Sequence, residues 1–117
     1  MKTILIVEDT ELNIDLLTQL LEDDYNLLVA RDGGQGVTMA LENKPDLILM
    51  DISLPVMDGY TATRKIRETL KSTPIIGLST HGMNGDADKA RNCGCNDYLT
   101  KPLDEDLLMT KLKGYIG

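Results

Sequence analysis

An α/β fold, a parallel sheet covered on both faces by helices, is predicted for this 117-residue chain by three observations. Strand-like and helix-like segments alternate five times, as the repeating units of a parallel sheet do. The strand-like runs are nearly continuous apolar stretches, which suits strands buried on both faces. No internal repeat or low-complexity linker interrupts them, and the length fits one domain, residues 1–117.

The elements follow in order. Thr3–Val7 (TILIV) is the first strand. A helix follows in which Leu12, Leu16 and Leu20 recur at i, i+4 with Leu17 and Leu21 beside them; Ile14 falls off this stripe and is expected to face outward. Leu27–Ala30 is the second strand, and Arg31-Asp32-Gly33 after it reads as a turn. A helical segment from about Gly36 to Glu42 carries Val37, Met39, Ala40 and Leu41. Asp46–Met50 is the third strand, and the helix after it starts near Asp58, an N-cap residue, with Ala62, Ile66 and Leu70 on one face. Ile75–Leu78 is the fourth strand. The helical segment Met83 to Cys93 has a thin apolar face of Met83, Ala87 and Ala90, which predicts the least stable element. Tyr98–Leu99 is the fifth strand. The last helix begins near Asp104, with Glu105 and Asp106 in its first turn and Lys111 and Lys113 in its last, a charge order that suits the helix dipole. Leu108, Leu112 and Tyr115 or Ile116 supply its inner face.

Composition narrows the function. Hydrophobic content of 42% and charged content of 26% are those of an ordinary globular protein, and no apolar run is long enough to span a membrane. The formal charge of −7 argues against direct nucleic-acid binding. MKTILIVED turns acidic too soon to be a secretory signal, so a cytoplasmic location is expected. Cys93 and Cys95 are too close for a mutual disulfide and have no further cysteine to complete a metal set; they read as small residues near a turn.

In a sheet of this class the chemistry gathers outside the carboxyl ends of the strands. The first strand delivers Glu8 and Asp9 there, the third Asp51, the fourth Ser79 and Thr80, and the fifth Thr100, Lys101 and Pro102. Singly, each has an ordinary reading as a turn former, a cap or a solvated lysine. Together they place three carboxylates and one ammonium at one edge. Two carboxylates about 4 Å apart in a partly exposed site repel by roughly 4 kcal/mol. Such a cluster needs raised pKa values or a divalent cation. All-oxygen donors select a hard ion, Mg²⁺ or else Mn²⁺. The ion, Lys101 and the Ser79 hydroxyl could then receive a phosphoryl group, with the Asp51 carboxylate as its nucleophile.

The stretches ILIVEDTELN, PDLILMDISLPVMDGYTATRKIR, TPIIGLST and GCNDYLTKPLDEDLL span nearly the whole chain, and in them it resembles the receiver (CheY-like) domain of two-component response regulators. The resemblance implies a flavodoxin-like (βα)5 fold with strand order 2-1-3-4-5. It implies Asp51 as phosphoacceptor, Asp9 as a direct Mg²⁺ ligand, Glu8 as one acting mostly through water, and the backbone carbonyl of Ser53 as a further ligand. Ser79 would be the switch hydroxyl, Lys101 would pair with the phosphoryl group, and Tyr98 would be the aromatic whose rotamer follows the state. Thr80 is a second hydroxyl beside Ser79, and the choice between them rests on matching PIIGLS to the family pattern. His81, the only histidine, reads as a half-exposed loop residue.

The partners implied are a sensor histidine kinase or histidine phosphotransfer protein, and the chain would promote only its own phosphorylation and dephosphorylation. Ile14, Leu54, Pro55 and Pro102-Leu103 are the residues expected to edge a docking patch, and Met83–Cys93 with its flanking loops is the element expected to switch. Met1 and a helix running to Tyr115 favour a single-domain regulator. The alternative is a phosphorylation-independent interaction module with the same fold. A haloacid-dehalogenase-type hydrolase is disfavoured because Asp9-Thr10-Glu11 lacks its D-x-D pattern, and a dinucleotide binder because no G-x-G-x-x-G follows the first strand.

Overall fold

The computed structural model of the chain describes residues 1–52, 57–79, 94–101 and 103–117. The helix expected over Met83–Cys93, and the expectations for Ser53, Leu54, Pro55, Thr80, His81 and Pro102, lie outside these residues. The described elements are β1 (Thr3–Val7), α1 (Glu11–Leu21), β2 (Asn26–Ala30), α2 (Gly33–Asn43), β3 (Leu47–Asp51), α3 (Gly59–Arg67), β4 (Ile75–Ser79), β5 (Asp97–Thr100) and the C-terminal helix α4 (Glu105–Ile116). The five strands pair in parallel in the order β2-β1-β3-β4-β5, as expected.

Alternation along each strand explains why the apolar runs are unbroken. Ile4, Ile6, Leu47, Leu49, Ile76 and Leu78 point to one face and pack with Leu17, Leu21, Leu108, Leu112 and Ile116 from α1 and α4. Leu5, Val7, Ile48, Met50 and Ile75 point to the other and pack with Ala40, Ala62 and Ile66 from α2 and α3. A strand covered on both sides needs an apolar residue at every position, and each large side chain fully removed from water contributes about 1.5–3 kcal/mol.

Three expectations are corrected. Ile14 is buried, at 5% exposure, while Leu12 and Leu16 stand 76% and 38% exposed. Six aliphatic side chains ring α1, so periodicity does not choose its phase. The sheet selects Ile14, Leu17 and Leu21, and at 3.6 residues per turn Leu12 and Leu16 point about 160–200° away from Ile14. Next, Asp32 is a cap rather than a plain turn residue. Its side chain accepts from the Gln35 backbone N–H, and α2 begins at Gly33, three residues before the expected start. Finally, Asp51 is the last residue of β3 itself, and α3 ends at Arg67, leaving Leu70 to pack on the core from outside the helix.

Asp58 and Asp104 cap α3 and α4 as expected, accepting from the N–H groups of Thr61 and Leu107. Ile116 rather than Tyr115 faces the core. Tyr115 instead points its hydroxyl at β5, toward the Asn96 carbonyl and Asp97, and Lys111 donates to Asp97 at 2.8 Å. Burial pushes the Asp97 carboxyl up. The Lys111 hydrogen bond, the Tyr98 N–H, the Lys111 charge and the Tyr115 hydroxyl outweigh it and hold the group below the usual aspartate range.

A depressed carboxylate pKa stabilises the fold above its unfolded value, about 3.9, and loses that contribution as pH falls through the folded value. Asp97→Asn is therefore expected to lower stability by about 1 kcal/mol or less at neutral pH. The gap from wild type should hold down to about pH 5 and close below about pH 4. Urea unfolding across that range tests this, and a gap that widens on acidification would contradict it.

Candidate phosphoryl-acceptor site

The strand order places β1 at the reversal point, with β2 on one side and β3 on the other. The crevice outside their carboxyl ends is where a sheet of this type gathers its functional groups. Glu8 follows β1, held by its N–H to the Ala30 carbonyl of β2. Asp51 ends β3 opposite Leu78 of β4, and the next N–H, of Ile52, donates to the Leu78 carbonyl. The Asp51 carboxylate therefore stands on a backbone tied to a central strand, 3% exposed.

Lys101 closes the site from the sheet's edge. Its N–H donates to the Ser79 carbonyl at 2.6 Å, continuing the β4–β5 pairing one residue beyond β5. The side chain then passes beyond β4, and Nζ donates to Glu8 Oε2 at 2.6 Å and to Asp51 Oδ2 at 3.3 Å. Glu8 is fully buried and also accepts from the Thr10 N–H at 3.2 Å. A buried carboxylate needs such donors, since leaving one unmatched costs several kcal/mol.

Carboxylate oxygens of Glu8, Asp9 and Asp51 lie within 4.8 Å of one another, with Asp9 exposed to solvent and the other two buried. Three acids against one ammonium leave a formal −2, and the donors are all oxygen. This set fits a hard divalent cation. Ser79 is buried at the end of β4, at the same edge. Tyr98, on β5, is partly buried against the core face covered by α2 and α3. The structure thus draws Glu8, Asp9, Asp51 and Lys101 into one cluster and holds Ser79 at its border through the backbone of Lys101.

A cavity of about 90 Å³ opens beside the Glu8–Lys101 pair, lined by Asn13, Leu16, Leu17, Leu78 and Leu103. Asn13 was not among the sequence candidates, although its place four residues after Asp9 puts it in the first turns of α1. Leu16, 38% exposed, rather than the buried Ile14, supplies apolar surface beside this cavity.

Residues 4–113 match the family described as "Response regulator receiver domain". The chain belongs to that family. Among curated relatives, this receiver is 36% identical over 119 residues to the polar-differentiation response regulator DivK of Brucella anthropi, with 99% of this chain and 97% of DivK covered. Among solved structures it superposes with a TM-score of 0.91 and 39% identity on the receiver domain of sensor histidine kinase PA1611 from Pseudomonas aeruginosa, covering 99% of this chain and 98% of that one. That structure is described as having a magnesium ion coordinated in its active site cleft. A TM-score of 0.91 and 31% identity, over 97% of this chain and 88% of the other, relate it to the receiver domain of Ssk1 from Saccharomyces cerevisiae, crystallised with the histidine phosphotransfer protein Ypd1. Among the described residues, no helix of this receiver is long and apolar enough to cross a membrane.

Proposed function

We propose that this receiver accepts a phosphoryl group from a phosphohistidine onto Asp51 and signals through the resulting change of charge. The observation that carries the reading is the grouping of Glu8, Asp9 and Asp51 oxygens within 4.8 Å, with Lys101 spanning Glu8 and Asp51. Glu8, Asp9 and Asp51, with the Ser53 backbone carbonyl, would hold Mg²⁺ or Mn²⁺, which when bound neutralises charge on phosphoryl oxygens. An Asp51 carboxylate oxygen attacks phosphorus, the P–N bond to the donor imidazole breaks, and its electron pair stays on that nitrogen. Lys101 and the Ser79 hydroxyl donate to the transferred oxygens. Attack of water on phosphorus later breaks the bond to Asp51, releasing inorganic phosphate and restoring the carboxylate. The chain acts on itself and turns over no other substrate.

The added charge and acceptor oxygens draw Ser79 toward the phosphoryl group and leave space for Tyr98 to move inward. The donor is a sensor histidine kinase or histidine phosphotransfer protein, as the Ypd1–Ssk1 likeness supports. The exposed Leu16, with Leu103 in the same cavity, offers it an apolar footing beside Glu8 and Lys101. Incubation with a small phosphodonor such as acetyl phosphate, with and without Mg²⁺, tests the reading. One base-labile adduct per chain, dependent on the metal, is expected. No adduct under either condition would favour the phosphorylation-independent module.

A further inference from the structure

Of the five strands, β2 alone is followed by no chemical group of the site, yet the helix it leads into lies against Met57, in the connection that follows Asp51. Gly33, the first residue of α2, is buried, and a Cβ built on it would fall 2.2 Å from the Met57 carbonyl oxygen and 2.9 Å from the Met57 Cβ. The obstacle is main chain, so no side-chain rotation relieves it. Gly36, one turn on, is seated on the Val7 side chain in the same close manner. α2 is thus laid directly against β1 and the β3–α3 connection.

Met57 is close in sequence to the neck of that connection. The Gly59 N–H donates to the Ile52 carbonyl at 3.2 Å, and a Cβ on Gly59 would lie 2.4 Å from the Asp51 carbonyl oxygen. Asp58, between the two, caps α3. Met57, Asp58 and Gly59 therefore form a short link whose far side bears on the Asp51 backbone and whose near side rests on Gly33.

We propose that Gly33 is a positioning residue for Asp51. By bringing bare helix backbone against Met57, it fixes the Met57–Gly59 link and through it the reach of the Asp51 carboxylate toward Glu8, Asp9 and Lys101. The inference rests on the acceptor reading above. It adds to the site a residue on a helix that supplies none of the candidate ligands.

The test compares Gly33→Ala with Gly34→Ala. The second makes the same change one position later in the same helical turn, where the added methyl meets only the Asp32 side chain at 3.3 Å. Both raise helix propensity equally, so only the first presses on Met57. Each variant is also made with Gly114→Ala, an exposed site in α4 where a Cβ meets nothing within 4 Å, to offset lost stability. Backbone amide spectra of the metal-free proteins, titration with MgCl₂ alone and the rate of labelling by acetyl phosphate are the readouts. Gly33→Ala is expected to shift the Asp51, Ile52 and Gly59 amides, and to weaken Mg²⁺ binding and slow labelling by about ten-fold each, as misplaced supporting groups do. Gly34→Ala should match wild type in all three.

Equal amide positions and equal Mg²⁺ affinity in the two variants would overturn the proposal. So would a Gly33→Ala chain that fails to fold in either background, because the claim is of a local displacement. If wild type itself bound no Mg²⁺ and took no label, the acceptor reading would fall, while the metal-free amide comparison would still judge the role of Gly33.

Discussion

Asp51→Asn is expected to abolish the base-labile phosphoryl adduct and, at the same time, to make the metal-free protein more stable. The amide keeps the shape of the carboxylate but supplies no nucleophile, so labelling should fall to background. The gain in stability follows from charge. Asp51 shares a pocket with Glu8 and Asp9, and the three face a single ammonium. At an effective dielectric of 20, Glu8 and Asp9 each repel Asp51 by roughly 3.5 kcal/mol, about 7 together, and the attraction to Lys101 at 3.3 Å, roughly 5 kcal/mol, offsets most of it. A net stabilisation of about 1–2 kcal/mol is the expected remainder, read by urea unfolding without divalent cation. Saturating Mg²⁺ should then stabilise wild type more than the variant, since a ligand stabilises by its affinity for the native state. A variant that is labelled like wild type would remove Asp51 from the chemistry.

Lys101→Met should act in the opposite sense on stability. Lys101 is the 2.6 Å partner of Glu8, which has no exposed surface. Methionine keeps most of the apolar stem but leaves a buried carboxylate without its counter-charge, a change that costs about 3–5 kcal/mol in other buried pairs. The Lys101 side chain retains 12% exposure, so the lower end of that range, about 3 kcal/mol, is expected at neutral pH. Added Mg²⁺ should relieve the loss, because it neutralises the same acids. Labelling should still be slower than wild type, because the ammonium that would meet the phosphoryl oxygens is gone. Unfolding curves of the two proteins with and without Mg²⁺ decide the matter; equal stability in metal-free buffer at neutral pH would mean that the Glu8–Lys101 pair carries little.

The opposite signs have one origin. The cluster has an excess of acid, so deleting an acid relaxes it and deleting the base strains it. A site shaped only for stability would not carry that imbalance. Under the proposed function, that imbalance is what would draw in a cation and then a phosphoryl group.

Much of this was legible before folding was considered, because chemistry-bearing residues stand directly after apolar strand runs. Glu8 and Asp9 after TILIV, Asp51 at the end of LILM, and Lys101 shortly after Tyr98–Leu99 each announce themselves by position. Where patterning was degenerate, the reading failed. In α1, aliphatic residues occupy almost every side, and the buried face turned out to be that of Ile14 rather than of Leu12 and Leu16. Asp32-Gly33 looked like punctuation because a cap and a turn use the same residues, and only the bond to Gln35 distinguishes them.

What the chain alone determined was the parallel sheet, the edge at which its functional groups emerge and the acidic excess at that edge. These depend on local pattern and covalent order, which sequence records directly. Tertiary structure decided which acid Lys101 holds most closely, which side of α1 meets the sheet, and that the backbone at Gly33 meets the backbone at Met57. Those contacts join residues far apart in the chain, and close approach is a property of packed volume that no one segment encodes.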